Sequence, residues 1–294
     1  MVELARAEML ARVPKLGMLH PGDVTWQCWN RRDFENVRMW EQDGQLLGYV
    51  DFEPPLTMVT QLHPDVDPAG PLFAEMLAWG EERARHEGSS RPVPKAYAML
   101  GERTISTLAM EDDPDRIAAL EAHGYARVDR FSFRFRRSLE RIPEPELPEG
   151  MRLRHVTEAD IEERIDLHRD AWSVWGPSGA TVEAYRSLRE APWHEPELDV
   201  VLEHRGSLVS YAIGWVDEAS GVGIFEPVGT RPEYAGRGLA KLVLYEGLRR
   251  MKARGMTAAR IGTASVNLKA ERCYLGAGFE HAAKEWYWSK ALTP

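Results

Sequence analysis

Val228-Gly229-Thr230-Arg231-Pro232-Glu233-Tyr234-Ala235-Gly236-Arg237-Gly238-Leu239-Ala240-Lys241 runs from an apolar strand through a glycine turn into a helix. Glycine removes the side chains that would hold a ligand away from the backbone. The first turn of a helix carries unpaired N–H groups and the positive end of its dipole. A turn of this kind is suited to a pyrophosphate. Lys241, inside the first helical turn, adds a full positive charge.

A second pattern lies downstream. Asn267-Leu268-Lys269-Ala270 is followed by Tyr274 and then by Gly278-Phe279. Strand, glycine turn, helix, strand, then Asn-x-x-Ala-x-x-x-Tyr-x-x-x-Gly-Phe resembles the acetyl-CoA half of the GNAT N-acetyltransferase superfamily. The resemblance covers roughly Met151 to Leu292. The turn departs from the family's usual Gln/Arg-x-x-Gly-x-Gly/Ala at its first position, which is Ala235. That removes one side-chain contact and leaves the backbone cradle possible. The resemblance implies that Gly236, Arg237, Gly238, Leu239, Ala240 and Lys241 hold the pyrophosphate of acetyl-CoA.

A chain of 294 residues is long for one domain and sufficient for two. With 44% hydrophobic and 28% charged residues there is apolar material for two cores. The net charge of −9 disfavours a broad basic face for nucleic acid. It suits a cationic amine and equally suits simple solubility. Cys28 and Cys273 cannot make a disulfide framework or a zinc site, so no metal is expected. Cys273 has no paired histidine nearby and reads as a packing residue. Met1 to Arg12 carries Glu3, Arg6, Glu8 and Arg12 and does not read as a signal peptide. No run reaches the roughly 20 apolar residues of a membrane span, so no membrane and a cytoplasmic location are the expectation.

Arg141-Ile142-Pro143-Glu144-Pro145-Glu146-Leu147-Pro148-Glu149-Gly150 reads as a stiff, solvated Pro/Glu linker. Beyond it the pattern is a strand at 151–156, helices to Trp172 and at 181–189, and strands at 198–203, 208–216 and 223–230. A helix at 237–254, a strand at 258–263, a helix at 268–275 and a strand at 285–290 follow. The first 140 residues show a similar order. Strands are expected at 37–41, 45–52, 56–62, 95–100 and 127–137, with helices at 72–86 and 114–123. Gly124-Tyr125 stands where Gly278-Phe279 stands, which sets Leu120 against Tyr274 and Asp113 against Asn267. The fold expected is α/β (an α+β mixed sheet), as two tandem GNAT-like domains with a splayed central sheet; a similar order arising from generic α/β patterning is the other reading of the repeat. Residues 1–140 form a degenerate domain, 141–150 the linker and 151–294 the acetyl-CoA-binding domain. In the first half, His63 to Pro71 is acidic and proline-rich, which opposes a pyrophosphate.

Pro227 has no N–H, so its strand cannot pair continuously with both neighbours. A bulge there would splay the strand and leave backbone groups free. The resemblance implies that the pantetheine enters this splay along Val228, Gly229 and Thr230, with the Val228 N–H facing the thioester oxygen. It also makes Tyr274 the acid that protonates the leaving sulfur, and a tyrosine packing its ring in the core is the other reading. Asn267 would bond the pantetheine, cap its helix, or do both. Glu226, on the same strand, is the candidate base; it would otherwise bind the amine or pair with an arginine. Asp217 and His155 are further candidates. Trp172, Trp175, Trp193, Trp286 and Trp288 are candidates for an aromatic acceptor pocket. The function expected is transfer of an acetyl group from acetyl-CoA to a primary amine of a small molecule by direct attack, in a monomer or homodimer. A non-catalytic acyl-CoA sensor or interaction module is the alternative.

Overall fold

A computed structural model describes residues 1–29, 34–53, 56–87 and 104–292. The chain forms two compact units that interleave along the sequence. The first comprises Met1–Leu19, Asp33–Phe133 and Ala283–Pro294; the second comprises His20–Arg32 and Arg134–Ala282.

The first unit contains α1 (Val2–Ala11), β1 (Val37–Gln42), β2 (Gln45–Glu53), β3 (Thr57–Leu62), α3 (Pro71–Glu87), β4 (Thr104–Met110) and α4 (Pro114–Ala122). β5 (Ala126–Ser138) begins in it. β1, β2 and β3 are antiparallel neighbours, and β3 lies parallel to β4 at Thr57 and Ser106. β11 (Glu280–Ala291) pairs antiparallel with β4 from Glu285–Met110 to Ala291–Thr104. Val50, Phe52, Met58, Phe73, Met76, Ile105, Leu120 and Trp288 fill the core between sheet and helices.

The second unit contains α2 (Pro21–Trp29), β6 (Met151–His155), α5 (Ile161–Trp172), α6 (Val182–Arg189), β7 (Asp199–His204), β8 (Ser207–Asp217), β9 (Val222–Thr230), α7 (Leu239–Ala253), β10 (Ala258–Ala264) and α8 (Leu268–Gly276). Its strands run β10-β9-β8-β7-β6, parallel at β10/β9 and antiparallel elsewhere. α7 turns Leu239, Val243, Leu244, Leu248 and Met251 inward at helical spacing. α5 and α6 pack Ile161, Ile165, Leu167, Tyr185 and Leu188 with Val201, Tyr211, Ile213, Trp215 and Ile224.

Both units repeat one local closure. Asp113 accepts a hydrogen bond from the Arg116 N–H, and Asn267 accepts one from the Ala270 N–H. The Tyr125 N–H returns to the Leu120 carbonyl at 3.0 Å, and the Phe279 N–H to the Tyr274 carbonyl at 3.0 Å. The internal correspondence read from Gly124 and Gly278 is thus present in the backbone.

The compact units differ from a cut at 141–150. Residues 141–150 lie with the second unit, where Arg249 reaches Glu144 at 3.9 Å. α2 joins the second unit and the end of β11 joins the first. The reason is strand pairing, since β11 satisfies the free edge of β4. Trp286 and Trp288 therefore belong to the first unit and not to an acceptor pocket in the second. The strand expected at 95–100 lies outside the described residues; Thr104–Met110 is the strand beside β3. α1 and α2 were not read from the sequence. Among the described residues no helix is long and apolar enough to cross a membrane.

Trp288 is 4% exposed in the first core. Trp288→Ala should cost about 3–5 kcal/mol in denaturant unfolding. Hydrogen exchange should show the loss of protection in β3 and β4 and not in β7 and β8. The opposite pattern would reject the assignment of the final strand.

Candidate active site

The pairing of β8 with β9 runs Ser210–Thr230, Tyr211–Gly229 and Ala212–Val228, then resumes at Gly214–Phe225. Glu226 and Pro227 together oppose Ile213, which is a β-bulge. On the other edge, β9 pairs with β10 only from Val222–Ala258 to Ile224–Arg260. Both strands continue, to Thr230 and to Ala264, without further registered pairs. The splay expected from Pro227 is present.

Strand alternation decides which groups face it. The Arg231 N–H donates to the Val209 carbonyl at 3.0 Å, and the Ser210 hydroxyl donates to the Gly229 carbonyl at 3.0 Å. Gly229 and Arg231 therefore address β8, and the N–H groups of Val228 and Thr230 face the side where β10 has parted. Gly229 was grouped with Val228 and Thr230 in the sequence; the backbone turns it the other way. A side chain at Gly229 would collide with the Tyr211 ring and Ala171, which explains the glycine by packing.

After β9 a single 3₁₀ turn, Pro232–Tyr234, leads to Gly236 and Gly238. Gly238 caps α7 with φ +78°, a left-handed conformation that costs glycine little. It offers no side chain to the helix end. Among the described residues, the N–H groups of Gly236, Arg237, Gly238, Leu239 and Ala240 find no hydrogen-bond acceptor, whereas Lys241 N–H bonds the Gly238 carbonyl. Five successive free amides at a helix start fit a polyanion. The Arg237 guanidinium lies over the Tyr234 ring and donates to the Glu233 carbonyl at 2.9 Å. The Leu239 side chain is buried in the core, so its contribution is its N–H.

The corresponding run in the first unit is closed. The Ala69 N–H bonds the Asp67 carboxylate at 2.8 Å, the Gly70 N–H bonds the Asp67 carbonyl at 2.9 Å, and Pro71 has none. Between β3 and β4 stands the buried Arg116. Its guanidinium donates to the Thr60 carbonyl at 2.7 Å and the Leu108 carbonyl at 3.2 Å, and also to the Thr60 hydroxyl. Arg116 occupies the position that Ala270 holds in the second unit, one turn into the capped helix.

Tyr274 is 8% exposed, with its ring against Phe135 and Phe279. Its hydroxyl makes no hydrogen bond among the described residues. Burial raises its pKa, and neighbouring Cys273, Glu226 and Tyr211 raise it further, so the phenol keeps its proton. Cys273 is pushed up to about 11 by burial, which leaves it a thiol and no nucleophile at neutral pH. The Asn267 side-chain oxygen is committed to the Ala270 N–H at 3.2 Å.

Glu226 is half-buried at the bulge, and its carbonyl accepts from the Trp215 indole at 2.7 Å. Its carboxyl is raised to about 8, chiefly by burial and then by the charge of Asp23, with Arg134 opposing. Asp217 and His155 drop out. Asp217 is 1% exposed and accepts the Ser220 N–H in the β8–β9 turn. His155 is exposed on the edge strand β6.

The sequence reading missed a buried polar group beside this strand. The Tyr211 hydroxyl meets His168 Nδ1 at 2.6 Å and accepts from the Trp172 indole at 2.9 Å. Burial and the charge of Arg164 hold His168 near 3, so it is neutral and its Nδ1 accepts from Tyr211. Arg164 lies 3.4 Å over the Tyr211 ring and pairs with Asp199 at 3.4 Å. Trp26, from α2, approaches His168 at 6.1 Å. Arg164, His168 and Trp172 recur every fourth residue, a polar stripe at core spacing that was available in the sequence. Trp175 and Trp193 are 49% and 41% exposed and do not join this group.

Glu226 gives a stability test. Its folded pKa lies above the ordinary 4.5, so the protonated form favours folding. That advantage is complete below about 4.5 and is lost as pH rises to about 8. Glu226→Gln, always neutral, should gain melting temperature over the native chain progressively across this window, then level off. Thermal melts at several pH values check it, and a pH-independent difference would reject the raised pKa.

Residues 162–279 match the family described as Acetyltransferase (GNAT) family. A protein of Kineococcus radiotolerans named mycothiol acetyltransferase is 28% identical over 251 residues, covering 83% of this chain and 78% of its own. One of Thermobispora bispora with the same name is 28% identical over 222 residues, covering 73% and 74%. Two solved structures share the fold. A GCN5-related N-acetyltransferase from Sphaerobacter thermophilus has TM-score 0.67 and 22% identity, over 99% of this chain and 91% of that one. A tandem GNAT protein from the clavulanic acid biosynthesis pathway has TM-score 0.66 and 16% identity, over 100% and 94%. The splayed strand and the open amide run both lie within residues 162–279, the part of the chain that matches the GNAT acetyltransferase family.

Proposed function

We propose that this chain transfers an acetyl group from acetyl-CoA to a primary amine of a small molecule, at a single site in the second unit. The observation that carries this reading is the run of five amides from Gly236 to Ala240 without a protein acceptor. It fits a pyrophosphate, with Lys241 at its edge. Acetyl-CoA supplies an activated acyl thioester when bound.

The chain's own groups take the remaining tasks. Val228 and Thr230 present N–H groups to the splay, and the Val228 N–H polarises the acyl oxygen. A backbone donor so aimed is worth about 3–4 kcal/mol. Asn267 has its oxygen in the helix cap and its amide N–H groups left for the pantetheine. Glu226 takes the proton of the amine, directly or through water. Tyr274 holds its proton at neutral pH and delivers it to the departing sulfur. The acceptor side carries Tyr211, Trp172 and the carboxylate of Asp23. The relatives named mycothiol acetyltransferase support a small-molecule acceptor, and the desacetyl form of mycothiol belongs in the first amine panel.

The first unit acts as a scaffold in this reading. Arg116 takes the carbonyls that a pantetheine would need, and Asp67 takes the amides that a pyrophosphate would need. A second reading, an acyl-CoA sensor without turnover, draws support from the ring packing of Tyr274 and the cap at Asn267. Thiol release in the presence of amines separates the two.

Calorimetry should give one acetyl-CoA per chain, abolished by Gly238→Glu. Two equivalents, or binding that survives that change, would reject the single site.

Tyr274→Phe should keep acetyl-CoA affinity and lower turnover by about 10²–10⁴-fold. Glu226 accepts a proton only when ionised, so kcat/KM, which reports the free enzyme, should rise with pH through about 8, and Glu226→Gln should remove that limb. A limb that persists with a raised KM would make Glu226 an ammonium-binding residue.

A further inference from the structure

The second unit holds a second cation-lined recess, away from the glycine turn. It is a groove of about 790 Å³ lined by Arg137, Glu140, Arg141, Pro143, Arg249 and Lys252. The groove sits at the C-terminal end of α7. A helix of 15 residues is about 22 Å long, so the groove lies a full helix length from the free amides at its start.

Its inner wall is Arg137, at the end of β5. Arg137 is 9% exposed, and its Nε is buried without a hydrogen-bond partner. Its remaining contacts are weak for a charge. One terminal nitrogen donates to the Arg141 carbonyl at 2.9 Å, and the guanidinium stands 5.8 Å from the Tyr245 ring centre. Among the described residues no carboxylate pairs with it. Burial alone lowers its pKa, and nearby Tyr245 is the only opposing influence.

Buried charges are ordinarily paired, because an uncompensated one costs several kcal/mol. This chain follows the rule elsewhere. Arg164, 1% exposed, has Asp199, and Arg116, 6% exposed, has the charges of Asp113 and Glu8 nearby as well as two backbone carbonyls. Among the described residues Arg137 has no such carboxylate. The groups around it make the imbalance larger. Lys252 donates to the Glu140 carbonyl at 2.7 Å, a neutral partner. Arg141 has no ion pair among the described residues. Arg249 meets Glu144 and Glu246 only at 3.9 and 4.0 Å. Four cations thus face one lining carboxylate, Glu140.

We propose that this groove binds the phosphoryl group of a soluble small molecule, as a site separate from the transferase cleft. The exposed guanidinium groups of Arg141 and Arg249 and the Lys252 ammonium match a phosphate edge, and the uncompensated charge of Arg137 behind them adds to the attraction. The volume admits a phosphorylated metabolite and not only the bare ion.

Inorganic pyrophosphate is the probe, titrated calorimetrically into the full chain at fixed ionic strength. The native chain is compared with Gly238→Glu, which blocks the turn ahead of α7. Lys241→Glu serves the same purpose should the glycine variant fail to fold. A saturable site should survive in that background. Arg141→Ala and Arg249→Ala, both on exposed residues, should each weaken it at least tenfold, and Glu140→Gln should tighten it. Acetyl transfer should be unchanged by the two arginine variants. No saturable site once the turn is blocked would overturn the proposal, as would affinity indifferent to Arg141 and Arg249. Binding of poly-glutamate without any of pyrophosphate would also overturn it, in favour of an acidic protein partner.

Discussion

The second unit depends on one backbone constraint: beyond Ile224, β9 has a partner strand on one edge only. Buried N–H and carbonyl groups must be satisfied, so a strand that loses a neighbour has to gain something else. The bulge at Glu226 and Pro227 absorbs an extra residue and turns β9 out of register. Alternation then directs Val228 and Thr230 toward the gap while Gly229 and Arg231 stay with β8. The first unit meets the same constraint in another way. Its parallel pair is registered at Thr57 and Ser106, and beyond that point a side chain of the same chain fills the divide. Arg116 bonds one carbonyl from each strand. One unit leaves its splay open and the other closes it internally. The difference at the core of it is one position, Ala270 against Arg116.

Local chemistry made much of this readable. Pro227 removes a donor, so a break in the ladder follows from the residue itself. Gly236, Gly238 and the apolar spacing of α7 place a helix start behind the break. The caps at Asp113 and Asn267 follow from residue type and offset. What escaped was set by distance along the chain. Nothing in the residues around Trp286 and Trp288 says that β11 serves β4, some 180 residues earlier in sequence; that outcome is decided by which edge lacks a partner. α2 escaped because Pro21 to Trp29 is short and its inward face is argued only by what it packs against. Gly229 was misassigned because a glycine near a ligand motif invites a ligand explanation, whereas Tyr211 and Ala171 already fill the space.

The buried polar groups around β8 and β9 show how burial selects protonation states. His20, beside Asp23, is held near 4 by burial and by Arg260, and its ring bridges the Val222 carbonyl and the Gly22 N–H. His168 is held near 3, and Tyr211 is pushed up to about 12. Each is neutral at physiological pH, and each has its hydrogen bonds made by named groups. Arg164, whose charge remains, is paired with Asp199. A polar interior of this kind is rigid, because moving any member leaves a buried group unsatisfied. It holds in place the strand that carries Glu226, and both of its histidines are kept neutral by burial.

Glu226 is the exception, and the exception has a consequence for the proposed chemistry. With its carboxyl at about 8, most of it is protonated at neutral pH, which by itself would make a poor base. The shift, however, belongs to a site without a substrate cation. Burial penalises the carboxylate, and Asp23 adds repulsion. An arriving ammonium would oppose both effects, since an opposite charge within a few ångströms favours ionisation. Asp23 would help draw that cation in while holding Glu226 protonated before it comes. The same two carboxylates would then keep the base neutral in the empty cleft and release it when an amine is there to be deprotonated. Removal of the proton from the amine would restore the neutral state, so the charge in the buried cleft stays low through the cycle. An acceptor without a positive charge would gain none of this, so under the proposed chemistry the electrostatics of the strand bulge would favour amines over alcohols.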